Sequence, residues 1–200
     1  MASIDDRLKD IYEIRSMMEQ SSKFLSLSGL SGIGAGIVGI IAVVIAEFSL
    51  GPVGNESPVM NDAPFAIIGS VVTLIVAVSV AAYFSVRMAR KKGLPLWGTS
   101  TKSLLMNLFI PLASGGLFCL VLLYHHIPFL IAPSMLIFYG LALLNTSKYT
   151  FKEIRYLGVS EICLGLIAAL WFQFGLILWG AGFGILHIVY GTVMYFKYEK

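Results

Sequence analysis

The chain of 200 residues is 58% hydrophobic and 12% charged, whereas a soluble domain averages about 45–50% apolar and about 25% charged residues. That composition excludes an ordinary soluble globule. It also argues against a nucleic-acid binder, because the 14 basic residues flank apolar runs instead of clustering with interleaved aromatics. Of the 14 basic and 11 acidic side chains, nine lie within the first 23 positions and none between 103 and 147, which is the segregation expected of a polytopic membrane protein.

In residues 1–23, Ile4, Leu8, Ile11, Ile14 and Met18 recur at helical spacing, with Asp5, Asp6, Asp10, Glu13 and Arg15 on other faces. The pattern predicts an amphipathic helix, capped by Ser3, that lies along the cytoplasmic interface or packs on the connecting loops. The acidic start and the long first apolar run argue against a cleaved signal peptide, so the chain is expected to insert uncleaved.

Residues 24–200 are expected to form an all-α membrane domain. A helix needs about 20 apolar residues to cross ~30 Å of hydrocarbon. Six segments qualify, at 25–47, 64–86, 103–124, 127–146, 156–173 and 176–196. The connections at 125–126 and 174–175 are so short that their flanking helices must be antiparallel, which predicts three helical hairpins. With these spans all 14 Lys and Arg fall on one side, so both termini are expected to be cytoplasmic and the protein to sit in the inner membrane.

The first outer loop, GPVGNESPV with Glu47, Glu56 and Asp62, reads as solvated and irregular. Arg87, Arg90, Lys91 and Lys92, followed by Trp97, form a basic cytoplasmic run with an interfacial aromatic. Its ordinary partner is an anionic lipid headgroup, with a docked protein as the alternative. Pro111 and Pro133 fall inside the third and fourth spans and are expected to kink them. Cys119 and Cys163 lie in apolar runs without CxxC spacing and read as small hydrophobes. His125 and His126 stand in a two-residue turn. They read as interfacial turn residues, with an external pH sensor or metal contact as the alternative.

Residues 29–36 (GLSGIGAG) and 158–165 (GVSEICLG) agree at Gly29 and Gly158, Ser31 and Ser160, Ile33 and Ile162, and Gly36 and Gly165. Tyr139-Gly140 and Tyr190-Gly191 correspond likewise, which points to repetition of one hairpin. The third hairpin, YLGVSEICLGLIAALWFQFGLILWGAGFGILHIVYGTVMYF, resembles the repeat of HdeD-type bacterial membrane proteins. The resemblance implies a compact six-helix inner-membrane protein linked to acid-stress or envelope homeostasis. It carries over no catalytic residue, metal or cofactor.

Small residues mark the expected helix contacts. Gly180, Gly184, His187 and Gly191 make one stripe, Gly158, Glu161, Gly165 and Ala168 another, and Gly29, Gly32 and Gly36 a third. Such stripes let helix backbones approach closely in lipid, and those of the fifth and sixth spans are expected to face each other. Facing copies of the stripes also make self-association a candidate.

Glu161 and His187 are each 13 residues from Phe174 (174−161 and 187−174), which places both ~20 Å from the turn at the helical rise. A carboxyl and an imidazole at one depth can share a proton. They therefore read either as a structural clamp or as an intramembrane proton or ion site, with Tyr190 on the next turn as a third member. Enzymatic motifs are absent: there is no His-x-x-x-His pair, Gly-x-Ser-x-Gly elbow or phosphate loop. A non-enzymatic membrane protein is therefore expected, with a proton-linked transporter or an accessory subunit docking a partner as alternatives.

Overall fold

The computed structural model describes residues 27–50, 63–93 and 96–200. The expected amphipathic helix over 1–23 and most of the acidic outer loop, Glu56 and Asp62 included, lie outside the described residues. The rest is helical: α1 Gly29–Leu50, α2 Ala63–Lys91, α3 Thr99–Tyr124, α4 Ile131–Thr146, α5 Glu153–Leu170, α6 Gly175–Gly180 and α7 His187–Tyr198. A π-helical segment, Ala181–Leu186, joins α6 to α7 without a break. Among the described residues there is no strand.

Five stretches are long and apolar enough to cross a membrane: Gly29–Ser49, Ile67–Lys91, Thr101–Tyr124, Pro128–Tyr149 and Phe172–Tyr198. The 18-residue α5 carries Glu153, Arg155 and Glu161 and is correspondingly less apolar. Large aliphatic and aromatic side chains such as Ile68, Leu74, Phe109, Leu117 and Leu170 stand exposed on the outer surface. That exterior is compatible with a helical membrane bundle.

Several boundaries differ from the sequence reading for local reasons. The second helix does not stop at 86 but continues through Arg90 and Lys91 in its last turn, where cations complement the carboxyl end of the helix dipole. It ends at Gly93, whose φ of 63° suits a residue without Cβ. Pro133 does not kink the fourth helix: α4 begins at Ile131, so the proline sits in the first turn, where its missing N–H has no intrahelical partner to lose. Pro111 does lie inside α3.

Packing follows two seams of small residues, and neither is the one expected. Gly180, Gly184 and Gly191 face α1, whereas the glycines of α5 face α4. A Cβ on Gly36 would fall 2.7 Å from the Gly184 carbonyl oxygen, and one on Gly191 2.5 Å from that of Gly29. In the other seam a Cβ on Gly158 would fall 2.8 Å from Gly140 O, and one on Gly165 3.0 Å from Pro133 O. Gly32 abuts the backbone of His187 and Gly191, and Gly180 abuts Val43.

The seams also match in register. Ile33 covers Gly191 as Ile162 covers Gly140, and Ile188 covers Gly36 as Ile137 covers Gly165. This is the correspondence between 29–36 and 158–165, and between Gly140 and Gly191, realised as contacts. α2 packs beside α1 and α3 beside α4; no comparable seam joins α2 to α3 among the described residues.

Polar contacts fasten one end of the bundle. The Glu199 carboxylate accepts hydrogen bonds from the Gly29 amide and, at 3.2 Å, from Ser28 Oγ. A carboxylate from the chain's far end thus caps the positive end of α1. Glu153, opening α5, accepts hydrogen bonds from Lys197 Nζ and, at 3.0 Å, from Tyr198 Oη. The starts of α1 and α5 and the end of α7 therefore share one end of the molecule.

Candidate functional site

Glu161 is fully buried on α5, and His187, at the junction of the π segment and α7, is 6% exposed. Their nearest approach is 3.4 Å, between Glu161 Oε1 and His187 Nδ1. Matched depth on antiparallel helices brings this pair together even though the glycine stripes carrying it turn to other partners. The stripes diverge because a glycine seam needs a flat backbone opposite, and α4 and α1 supply it; the polar side chains are left to span the gap between α5 and α7.

The imidazole is held at both nitrogens. Nδ1 lies 3.0 Å from the Gly182 carbonyl oxygen, and Nε2 lies 2.7 Å from Tyr139 Oη on α4. A carbonyl can only accept, so Nδ1–H donates to Gly182, and Tyr139 O–H then donates to Nε2. This is a complete hydrogen-bond set for a neutral imidazole. Tyr139 and Phe183 also stack on the ring, with centroids 5.4 and 5.9 Å away.

Glu161 is not served in the same way. Neither carboxyl oxygen has a hydrogen-bond partner among the described residues. The 3.4 Å approach of Nδ1 is proximity without an aligned hydrogen, since that hydrogen is directed at Gly182. An ionised carboxylate left unbonded in such a place costs about several kcal/mol after relaxation. A proton on the carboxyl removes the charge; a proton on His187 Nε2 instead, with Tyr139 Oη then accepting, makes an imidazolium whose Nδ1–H can turn from Gly182 to the ionised Glu161. The carboxyl and the imidazole Nε2 are thus alternative proton positions within one small site.

Two determinants were not singled out in the sequence. Tyr139 reads in the sequence only as a repeat marker; its 48-residue separation from His187 hides the link. Gly182 has no side chain, and that is its role: a Cβ there would collide with Glu161 Oε2 and lie 2.5 Å from Leu136 Cδ2. Its carbonyl belongs to the π segment, a helix form often found at functional sites. An off-stripe glycine midway between the regular Gly180-x-x-x-Gly184 pair, two residues from each, is the available signal.

Tyr190 does not touch the imidazole by hydrogen bond: its hydroxyl is buried without a partner among the described residues. The ring packs with Tyr139 and Leu186 against Leu143, Ile154 and Leu157. Gly29, Gly32, Gly36, Gly158, Gly165, Gly180, Gly184 and Gly191 all lie in the two seams, inside the chain's own fold. Arg87, Arg90, Lys91, Lys92 and Trp97 are exposed around the end of α2. His125 and His126 form the stop of α3. His126 has φ 59°, and Ile127 N and His126 N bond Leu122 O and Leu123 O at 2.9 and 3.0 Å, a Schellman closure. Among the described residues no cluster of three or more His, Cys, Asp or Glu could hold a metal.

Compared with known proteins, the chain matches no family model, no curated protein and no solved structure.

Proposed function

We propose that this chain is a non-enzymatic inner-membrane protein of six spans, paired as hairpins with both termini cytoplasmic, whose working element is a proton switch made by Glu161, His187 and Tyr139. The observation that carries the reading is the fully buried Glu161 carboxyl, whose oxygens are unbonded 3.4 Å from an imidazole that is already satisfied elsewhere. A merely structural clamp would pair the two groups. Here the carboxyl faces an imidazole nitrogen that already carries its hydrogen, so whether the proton sits on Glu161 or on His187 Nε2 changes which groups hold α4, α5 and α7 together. The role suggested by the HdeD-type resemblance, envelope or acid-stress homeostasis, fits a protein that responds to protons. The bilayer is the partner, with Arg87, Arg90, Lys91, Lys92 and Trp97 at headgroup level.

Proton-linked transport is the second reading, because intramembrane acids also mark transport paths. Reconstitution separates the two. The purified chain in vesicles is assayed for proton and cation flux, and for the pH dependence of its thermal unfolding, beside Glu161→Gln and His187→Ala. A switch shows no flux and a pH-dependent unfolding profile that Glu161→Gln flattens. Flux abolished in both folded variants establishes transport. A profile identical in wild type and Glu161→Gln, without flux, overturns both readings.

A further inference from the structure

A guanidinium at a helix end takes its counter-charge either from the protein or from outside it. The carboxylates among the described residues are Glu47, Glu153, Glu161 and Glu199. Glu199 serves Gly29 and Ser28, and Glu153 serves Lys197 and Tyr198. Glu161 is buried, and Glu47 lies near the far end of α1. Arg87 and Arg90, exposed near the end of α2, therefore have no acidic partner among the described residues.

The same helix is the least enclosed of the spans. The apolar stretch of Ile67–Lys91 contains no buried residue, whereas the corresponding share for Pro128–Tyr149 is 39%. On its open side Ser79, Ala82, Tyr83, Val86, Arg87 and Arg90 line a groove of about 550 Å³, within the range of about 300–1,000 Å³ usual for small-molecule sites. Steps of three and four residues keep these side chains on one face, and from Ser79 to Arg90 that face runs ~16 Å along the axis at the helical rise.

The two ends of the groove differ in chemistry. Arg87 and Arg90 are neighbours on adjoining turns, close enough for two guanidinium planes to grip one phosphate through paired N–H···O bonds. Tyr83, one turn deeper and exposed, adds a hydroxyl, and Ala82, Val86 and Ser79 make the remainder small and mostly apolar. A cation pair, then a hydroxyl, then an apolar floor match in order the phosphate, glycerol esters and acyl chain of a phospholipid. A free inorganic anion uses the mouth alone and leaves the floor, which belongs to a span apolar enough to cross a membrane, uncovered. Lys91 and Lys92 stand beside the groove without lining it; their charge opposes the ammonium of a zwitterionic headgroup and favours a net negative one.

We infer that α2 seats one anionic phospholipid, its phosphate between Arg87 and Arg90, an ester oxygen accepting from the Tyr83 hydroxyl, and one acyl chain along Ala82 and Val86. The inference rests on the reading that the end of α2 lies at headgroup level, and it is independent of the proton switch. It goes further than that reading: a bulk headgroup layer is attracted by all four cations and exchanges freely, whereas a seated lipid depends on two of them and on the groove. The lipid covers a side of α2 that no described helix covers, since α2 packs beside α1.

The test uses the full chain in mild detergent, titrated with phosphatidylglycerol, phosphatidylcholine and inorganic phosphate, with bound molecules counted by native mass spectrometry. One phosphatidylglycerol per chain is expected, held about 10-fold or more tightly than phosphatidylcholine and not displaced by millimolar phosphate. Arg87→Gln and Arg90→Gln should each weaken it by about 10-fold, the loss of one charge-assisted contact, while Lys91→Gln and Lys92→Gln change it by less than about twofold. Ala82→Trp fills the groove from an exposed position without touching a charge and should abolish retention. Equal effects of the four cations, or an Ala82→Trp variant that retains lipid, overturn the seated lipid and leave bulk headgroup attraction. Displacement by phosphate at the lipid's own concentration assigns a free-anion site and overturns it too. Retention that appears only after Asp5→Asn, Asp6→Asn, Asp10→Asn and Glu13→Gln assigns the arginines to the N-terminal segment instead. Headgroup level has its own readout, iodide quenching of Trp97 in phosphatidylglycerol vesicles after Trp171→Phe and Trp179→Phe. Free quenching overturns that reading, whereas a shielded Trp97 without retained lipid overturns the site alone.

Discussion

Gly182 on the π segment and Glu161 on α5 occupy one space: a methyl group on the glycine would lie on the Glu161 carboxyl. The site therefore exists because one helix position has no side chain. Gly182→Ala is expected to destabilise the protein by about 1–3 kcal/mol, the usual cost of overpacking, and to change the pH dependence of unfolding because the carboxyl must move. Thermal unfolding in micelles at several pH values checks both parts; a stable variant with the wild-type profile would contradict the assignment.

The glycine seams make a sharper claim when compared with glycines elsewhere. Gly140→Ala or Gly158→Ala drives a methyl into the facing backbone at 2.6–2.8 Å, and a backbone cannot rotate away as a flexible side chain can. Each should cost about 1–3 kcal/mol. Gly116, inside α3, has nothing within 4 Å of an added Cβ, and Gly116→Ala should stabilise by about 0.5–1 kcal/mol. Equal effects at the three positions would refute the seam geometry.

His126 supplies a left-handed residue that glycine would supply more cheaply. His126→Gly is expected to raise stability by up to about 1 kcal/mol, read as an increase in unfolding temperature. If the histidine instead served as an external metal contact, the variant would lose a zinc-dependent stabilisation of the wild type. Titrating zinc during unfolding distinguishes these outcomes.

The Glu153 cluster carries a pH prediction with a definite sign. Burial alone would raise the Glu153 pKa, but the hydrogen bonds from Lys197, the backbone and Tyr198 outweigh it and hold the carboxyl below the usual carboxylate range. A depressed folded-state pKa stabilises the fold above the unfolded-state value, and this stabilisation is lost as pH falls through the folded value. Wild type should therefore lose stability on acidification below about pH 4, and Glu153→Gln should lose less. Parallel acid profiles for the two proteins would count against the cluster.

Much of this architecture was legible along the chain because it follows from local rules. Apolar run length sets which segments can span a bilayer. Counting back from Phe174 was enough to put Glu161 and His187 at one depth, since rise per residue is a property of the helix alone. The likeness of 29–36 to 158–165 was visible for the same reason.

Tertiary structure decided which faces meet. A helix carries its glycine stripe whatever lies opposite, and no local rule says whether α5 offers that stripe to α7 or to α4. Backbone-to-backbone fit settled it: α4 and α1 present carbonyls and isoleucines that match the glycine gaps, so the seams formed there and left Glu161 and His187 facing each other outside either seam. Tyr139 reached the imidazole from α4, 48 residues away in sequence, and Gly182 opened room for a carboxyl across a helix interface. Both depend on contacts between residues far apart in sequence, and these arise only when the helices are packed.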